Sequence, residues 1–293
     1  MSIKSRIENG KCLKSLSTFG IGGKARYFIA VHTIQEMQQV ILFIKKNNIP
    51  FWVIGRGSNI LFDDRGFNGL IILNKIVFMR CEKGWVDVGA GYSFALLGTK
   101  MTKKDWGGLE FAACIPGSVG GAIYMNAGAH GYATKDTLQS VAYIDMRGKI
   151  IQKKAEELLF SYRSSLFKKI GGVIVSGQFA LKKDEGAIQR QMEMISYRKN
   201  TQPYKEQSAG CIFRNPCDIS AGLLIERCGL RGMQIGGAKV STKHGNFIIN
   251  TGRATAQDVL YLMMLVRKII KDKTGHSLKT EVCFVPYSLH TVA

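Results

Sequence analysis

The order of strand-like and helical stretches predicts an alternating α/β fold followed by a smaller α+β lobe. Three observations carry this reading. A capped helix and short apolar strands alternate between Thr33 and Leu73. A glycine-rich stretch from Gly107 to Gly131 suits neither a helix nor a strand. An amphipathic helix with a strand behind it closes the chain.

Thr33 with Glu36 makes a capping box, and Ile34, Met37, Val40, Ile41 and Ile44 follow at helical spacing up to Asn47-Asn48. Phe51 to Ile54 and Leu70 to Leu73 read as short apolar strands, Trp85 to Val88 alternates in strand fashion, and Phe94 to Met101 returns to helical spacing. Beyond the glycine-rich region, strands are expected at Val141 to Asp145 and Gly172 to Gln178, and a helix over Asp184 to Arg198. A lobe boundary is placed near Lys182 to Gly186, with one part over residues 16–181 and the other over 183–293. In the second part, Ser220 opens and Gly229 closes a helix from about Ala221 to Cys228. A longer amphipathic helix is expected from Thr255 through Val259, Leu262, Met263, Val266, Ile269 and Ile270, followed by Gly275. Met263 and Met264 are expected to fill its core side, and Glu281 to Val285 reads as a strand.

Composition narrows the function. A chain of 293 residues with 46% hydrophobic residues and 5 prolines is that of a folded protein of two or three lobes. No apolar run approaches the ~18 residues of a membrane span. The stretch Met1 to Lys14 carries scattered charges and no apolar core of a secretory signal, so a cytoplasmic protein without a membrane partner is expected. The 7 cysteines, at 12, 81, 114, 211, 217, 228 and 283, form no CxxC pair, which predicts thiols in a reducing compartment and no metal site. Lys and Arg number 41 against 21 Asp and Glu, a net charge of +20. That excess would suit a nucleic-acid-binding protein. However, the cations are scattered as pairs such as Lys45-Lys46 and Lys168-Lys169, with no binding motif, so no nucleic-acid partner is expected.

Two loops carry the chemistry. The first, Gly55-Arg56-Gly57-Ser58-Asn59-Ile60-Leu61, follows a predicted strand; glycine there lets backbone N–H groups approach a phosphate, and Ser58 and Asn59 add polar side chains. It is neither the dinucleotide fingerprint GxGxxG nor a P-loop. The second, Ile115-Pro116-Gly117-Ser118-Val119-Gly120-Gly121-Ala122 and on to Asn126-Ala127-Gly128, has few side chains able to fill a core. Two such loops point to a diphosphate-bearing cofactor held close to backbone.

In this order the motifs resemble the FAD-binding fold of the vanillyl-alcohol-oxidase (PCMH) type, and more narrowly the UDP-N-acetylenolpyruvoylglucosamine reductase family. The resemblance runs from Ser17-Thr18-Phe19-Gly20-Ile21-Gly22-Gly23 through both loops and Ser161-Tyr162-Arg163-Ser164-Ser165-Leu166-Phe167. It continues through Gln202-Pro203, Ser208 to Pro216, Ser220 to Glu226 and His244 to Asn250, and ends at Glu281-Val282.

The resemblance implies a flavoprotein with non-covalent FAD; the sequence does not give the oligomeric state, and a monomer is expected. It would use NADPH to reduce the enolpyruvyl ether of a UDP-sugar in peptidoglycan synthesis, with hydride going to the substrate's C3 and a proton to C2. It further implies that the first part of the chain holds FAD and the second forms a C-terminal α+β substrate-binding lobe. Arg163 and Glu281 would polarise the substrate carboxylate, and Asn215 and His244 would contact the UDP-sugar. Cys211 stands where the family most often has the proton-donating serine. A thiol, with a usual pKa of ~8.5, is a stronger acid than an alcohol and can fill that role, although a cation such as Arg214 beside it would favour thiolate. Ser17 replaces the family's usual asparagine, and no insertion bearing a substrate-clamping tyrosine is present, as in the family's shorter subtype. Two other readings are an FAD oxidase of the same superfamily acting on an alcohol or sugar, and the basic nucleic-acid binder.

Overall fold

The computed structural model describes residues 3–289; Met1, Ser2 and residues 290–293, the last four of the expected second lobe, lie outside the described residues. The described chain forms two compact units that share its length in alternation. The first takes residues 3–8, Phe28–Gly55 and Leu70–Tyr197; the second takes Asn9–Tyr27, Arg56–Gly69 and 198–289.

The first unit begins with α1 (Ile3–Arg6), whose Arg6 pairs with Glu36 at 2.9 Å. Glu36 belongs to α2 (Ile34–Lys46) and completes the capping box expected from the sequence: Thr33 Oγ1 accepts from Glu36 N–H, and the Glu36 carboxylate accepts from Thr33 N–H. Phe51–Ile54 then runs parallel to Leu70–Leu73 within the strand Gly66–Asn74. The unit's main sheet is antiparallel, with strands in the order Ile150–Lys154, Leu138–Ile144, Val173–Ala180, Trp85–Gly89 and Met79–Glu82. Valines 86, 88 and 141 and Phe179 from this sheet pack with Phe94 and Leu97 of α3 (Phe94–Thr102) and with Val119 and Ile123 of α4 (Val119–Met125). Helix α5 (Ala187–Thr201) is mostly polar and buries little. It is fastened by Arg190, which reaches the carboxylates of Asp184 and of the buried Glu110, the latter at 2.6 Å.

The second unit has a four-stranded antiparallel sheet in the order Gln207–Cys211, Phe247–Asn250, Ala238–Val240, Gln234–Ile235, and a parallel pair of Cys283–Val285 with Ile60–Phe62. Against these pack α6 (Ala221–Arg227), capped by Ser220, and α7 (Ala256–Thr274), capped by Thr255 and ended by Gly275 in the left-handed region. The core joins Phe19, Ile21 and Leu61 to Leu224, Ile225, Val259, Leu262, Val266 and Ile270. Met263 is 5% exposed and belongs to it, but Met264 is 52% exposed. Successive helical residues point about 100° apart, so the stripe accommodates one methionine and turns the next to solvent. The closing strand starts at Cys283, because Glu281 bonds to a different segment, as set out below. Among the described residues no helix is long and apolar enough to cross a membrane, and no cluster of three His, Cys, Asp or Glu could hold a metal ion.

Candidate active site

Gly55, which opens the first glycine-rich loop, meets the second loop within the first unit. A Cβ added at Gly55 would overlap Ser118 Oγ, so only glycine lets the end of the Phe51–Ile54 strand lie against the second loop. Ser118, itself buried, caps α4 by accepting from Gly121 N–H at 3.3 Å. Backbone bonds hold the rest of this loop: Val119 N–H to Tyr92 C=O, Gly120 N–H to Ala90 C=O, and Phe94 N–H to Gly117 C=O. Gly121 is exposed, and a Cβ there would find only Ser118 Oγ, 3.5 Å away. The N–H groups of the first turn of α4 are thus bonded within the protein. The turn offers a ligand a surface without side chains at Gly121, with Ala122 buried beneath it and Pro116 exposed. Such a surface lets a flat group lie close against backbone, which is a fit FAD requires. Ile115, at the loop's start, is half-buried against the sheet core. The Tyr92 hydroxyl, which sequence reasoning did not single out, is buried without a hydrogen-bond partner among the described residues.

The unit boundary falls inside the first loop, after Gly55. Gly57 sits at φ +63°, where an added Cβ would overlap the Leu16 carbonyl, and Thr18 N–H donates to the Gly57 carbonyl at 3.2 Å. The Ser17-Thr18 motif is thus the floor under this loop. Arg56 is exposed, and Ser58 is half-buried. Asn59 turns its amide to the Glu281 carbonyl at 3.2 Å, and Ile60 and Leu61 pass into the parallel strand pair, with Leu61 in the core.

Cys211 and Glu281 lie on neighbouring extended segments of the second unit. Glu281 N–H donates to the carbonyl of Ile212 at 2.7 Å, and Arg214 N–H to that of Lys279 at 2.8 Å, so residues 279–281 run antiparallel to 212–214. Cys211 pairs with Phe247 just after a register shift that begins at Ser208, and the intervening Gly210 has φ +76°. A bulge of this kind re-aims the side chains that follow it, and here it sets the direction of Cys211. The Nε of Arg214 is buried with no partner among the described residues.

Asn215 is exposed, and its Oδ1 accepts from Ala221 N–H at 3.0 Å, a second cap for α6. His244 is half-buried with its ring edge on Phe247, and its Nδ1 accepts from Asn246 N–H at 3.2 Å. Burial first, and then the Arg231 cation, hold its pKa below the usual histidine value. The neutral ring with Nδ1 accepting carries its proton on Nε2, which makes His244 a donor. Near it in sequence, Lys243 lines an open groove of about 610 Å³ with Lys199, Pro203, Tyr204, Lys205 and Glu206.

Arg163 lies in the first unit. It occupies the left-handed region at φ 56° in a turn closed by Ser161 and Ser164, and its Nη2 donates to the carbonyl of Gly128 at 3.0 Å. A side-chain-bearing residue in that region costs about 1–2 kcal/mol, so the turn around it must hold it there. Asn126, at the end of α4, is also left-handed; its buried amide donates to Ser161 C=O at 3.0 Å and accepts from Lys135 N–H at 3.1 Å.

Residues 25–153 match the family model described as an FAD binding domain, and residues 202–285 match that of the UDP-N-acetylenolpyruvoylglucosamine reductase C-terminal domain. The reductase of Protochlamydia amoebophila is 53% identical over 99% of this chain and 97% of its own. That of Chlamydia muridarum is 47% identical over 94% of this chain and 93% of its own. The crystal structure of the reductase from Thermus caldophilus superposes with a TM-score of 0.83 at 36% identity, covering 96% of this chain and 99% of that one. The fold class expected from the motifs is therefore the one found, and the chain belongs to the UDP-N-acetylenolpyruvoylglucosamine reductase family.

Proposed function

We propose that this chain catalyses the NADPH-dependent reduction of the enolpyruvyl ether of UDP-N-acetylglucosamine to UDP-N-acetylmuramate, as a cytoplasmic monomer. Bound FAD would supply C3 of the enolpyruvyl group with hydride drawn from NADPH. Residues 16–181 carry the FAD-binding role and 183–293 the substrate-binding role. The glycine-rich stretch Gly117 to Gly121, with Gly55 against Ser118, gives the cofactor close approach to backbone.

The observation that carries the reading is that Cys211, directed by the bulge at Gly210, precedes the residue whose carbonyl accepts from Glu281 N–H on the adjoining segment. Hydride addition at C3 leaves a carbanion at C2. The Cys211 thiol gives its proton to C2, breaking S–H and forming C–H, and solvent reprotonates the thiolate. Arg163 fits the neighbouring carboxylate with its planar pair of donors, and Glu281 helps to polarise it. Asn215 and the Nε2–H of His244 contact the UDP-sugar. The lysines of the groove at 199, 205 and 243 suit its diphosphate.

Purified protein should show flavin absorbance, bleach with NADPH without oxygen, and recover its colour on addition of the enolpyruvyl sugar. Protein that shows no flavin and gains none with added FAD refutes the proposal. Flavin that bleaches with an alcohol or sugar but not with NADPH identifies an oxidase instead.

A further inference from the structure

Arg163 is the residue whose placement demands most of its surroundings. Its turn is closed by reciprocal backbone bonds, Ser161 N–H to Ser164 C=O and Ser164 N–H to Ser161 C=O, both 3.1 Å. Side chains tie this turn to α4 and the loop after it: Asn126 Nδ2 to Ser161 C=O at 3.0 Å, Ser165 Oγ to Tyr124 C=O at 2.7 Å, and Arg163 Nη2 to Gly128 C=O at 3.0 Å. These bonds fix the turn at both ends and the tip of the arginine. The carbonyl of Arg163 itself, turned by the left-handed φ of 56°, takes a bond from Lys168 Nζ at 2.8 Å. The same ammonium lies 5.7 Å from the ring centre of Tyr124, on α4.

We propose that Lys168 is a positioning residue for Arg163, holding its left-handed backbone so that the guanidinium stands ready for the substrate carboxylate. The proposal rests on the role given above to Arg163. A charged donor on that carbonyl is about twice as strong as a neutral one and favours the turned conformation directly. Lys168 thereby acts on the half of the reaction in which the substrate is reduced and leaves transfer from NADPH untouched. The neighbouring Lys169 has the same charge, is exposed, and serves as the control.

The test is rapid mixing of holoenzyme, with flavin reduction by NADPH and reoxidation by the enolpyruvyl sugar followed separately. Lys168→Met should slow reoxidation about tenfold, the loss expected for one charge-assisted hydrogen bond, and leave reduction by NADPH unchanged. Lys169→Met should change neither rate, and Lys168→Arg should recover most of the loss. In an Arg163→Met background, the Lys168→Met change should cost less than a further twofold. Normal reoxidation by Lys168→Met beside a slow Arg163→Met overturns the positioning role alone. So does an undiminished tenfold loss in the Arg163→Met background, or an equal loss in both half-reactions. Normal reoxidation by Arg163→Met overturns the role of Arg163 and the proposal together.

Discussion

Cys211 is the proposed proton donor, and its place after the bulge at Gly210 shapes what a substitution will do. Cys211→Ala should leave flavin reduction by NADPH intact and slow reoxidation by the enolpyruvyl sugar by about 10²–10⁴, the usual worth of a positioned acid. Cys211→Ser should keep much of the rate if proton donation is all the position supplies, because the hydroxyl would stand in the same place after Gly210. Single-turnover absorbance resolves both outcomes. His244 offers a pH test. Its folded pKa lies below the unfolded value of ~6.5, so the unfolded chain binds the proton first and stability falls as pH drops through that value. His244→Gln should remove this slope, narrowing the difference in Tm between pH 7.5 and pH 5.5 relative to the parent.

Local signals in the sequence identify residues such as Cys211 and Glu281 only as members of motifs. That Glu281 N–H bonds to Ile212 depends on segments 69 positions apart, which no local pattern encodes. The left-handed φ of Arg163 was equally hidden, since a residue with a side chain gives no sign of it. Lys168 reads as one of many scattered lysines. The two loop asparagines show a further limit: their composition suggests phosphate contacts, whereas Asn59 bonds the Glu281 carbonyl and Asn126 the Ser161 carbonyl.

Among the elements, legibility follows range. The caps at Thr33 and Ser220 were readable because each accepts from an N–H only three residues on, and both form; Thr255 caps α7 in the same way. Asp64 is a further cap of α7: its carboxylate accepts from Ala256 N–H at 2.8 Å and from Gln257 N–H at 3.2 Å across 192 and 193 positions, out of reach of any window. Asp258 joins α7 to the turn at Gly237, accepting from Thr255 N–H at 3.0 Å and Gly237 N–H at 3.1 Å. The Thr255 bond first, and the Gly237 bond with it, lower its pKa. Its support is present above the usual carboxylate pKa and is lost as pH falls through the lowered value. Asp258→Ala should cost about 1 kcal/mol, read by urea unfolding at neutral pH. In the first loop, Gly57→Ala combines a left-handed φ with an overlap on the Leu16 carbonyl. It should lower Tm and FAD retention together, seen as flavin lost on gel filtration.

At the scale of the molecule, a net charge of +20 acts on everything anionic that approaches it. NADPH and the UDP-sugar should both show kcat/KM falling as salt rises from 20 to 300 mM, since screening shortens the field to ~10 Å by 0.1 M. A flat response would mean that the excess charge faces away from the substrates' approach.

The alternation of the two compact units along the chain has a consequence for synthesis. Residues 9–27 and 56–69 leave the ribosome long before the 198–289 segment with which they share a core, and Phe19, Ile21 and Leu61 must wait, exposed, for Val259 and Leu262. A nascent chain arrested before residue 198 therefore holds orphaned apolar segments that only its own tail can cover, and such arrested chains should bind chaperones that the finished enzyme ignores.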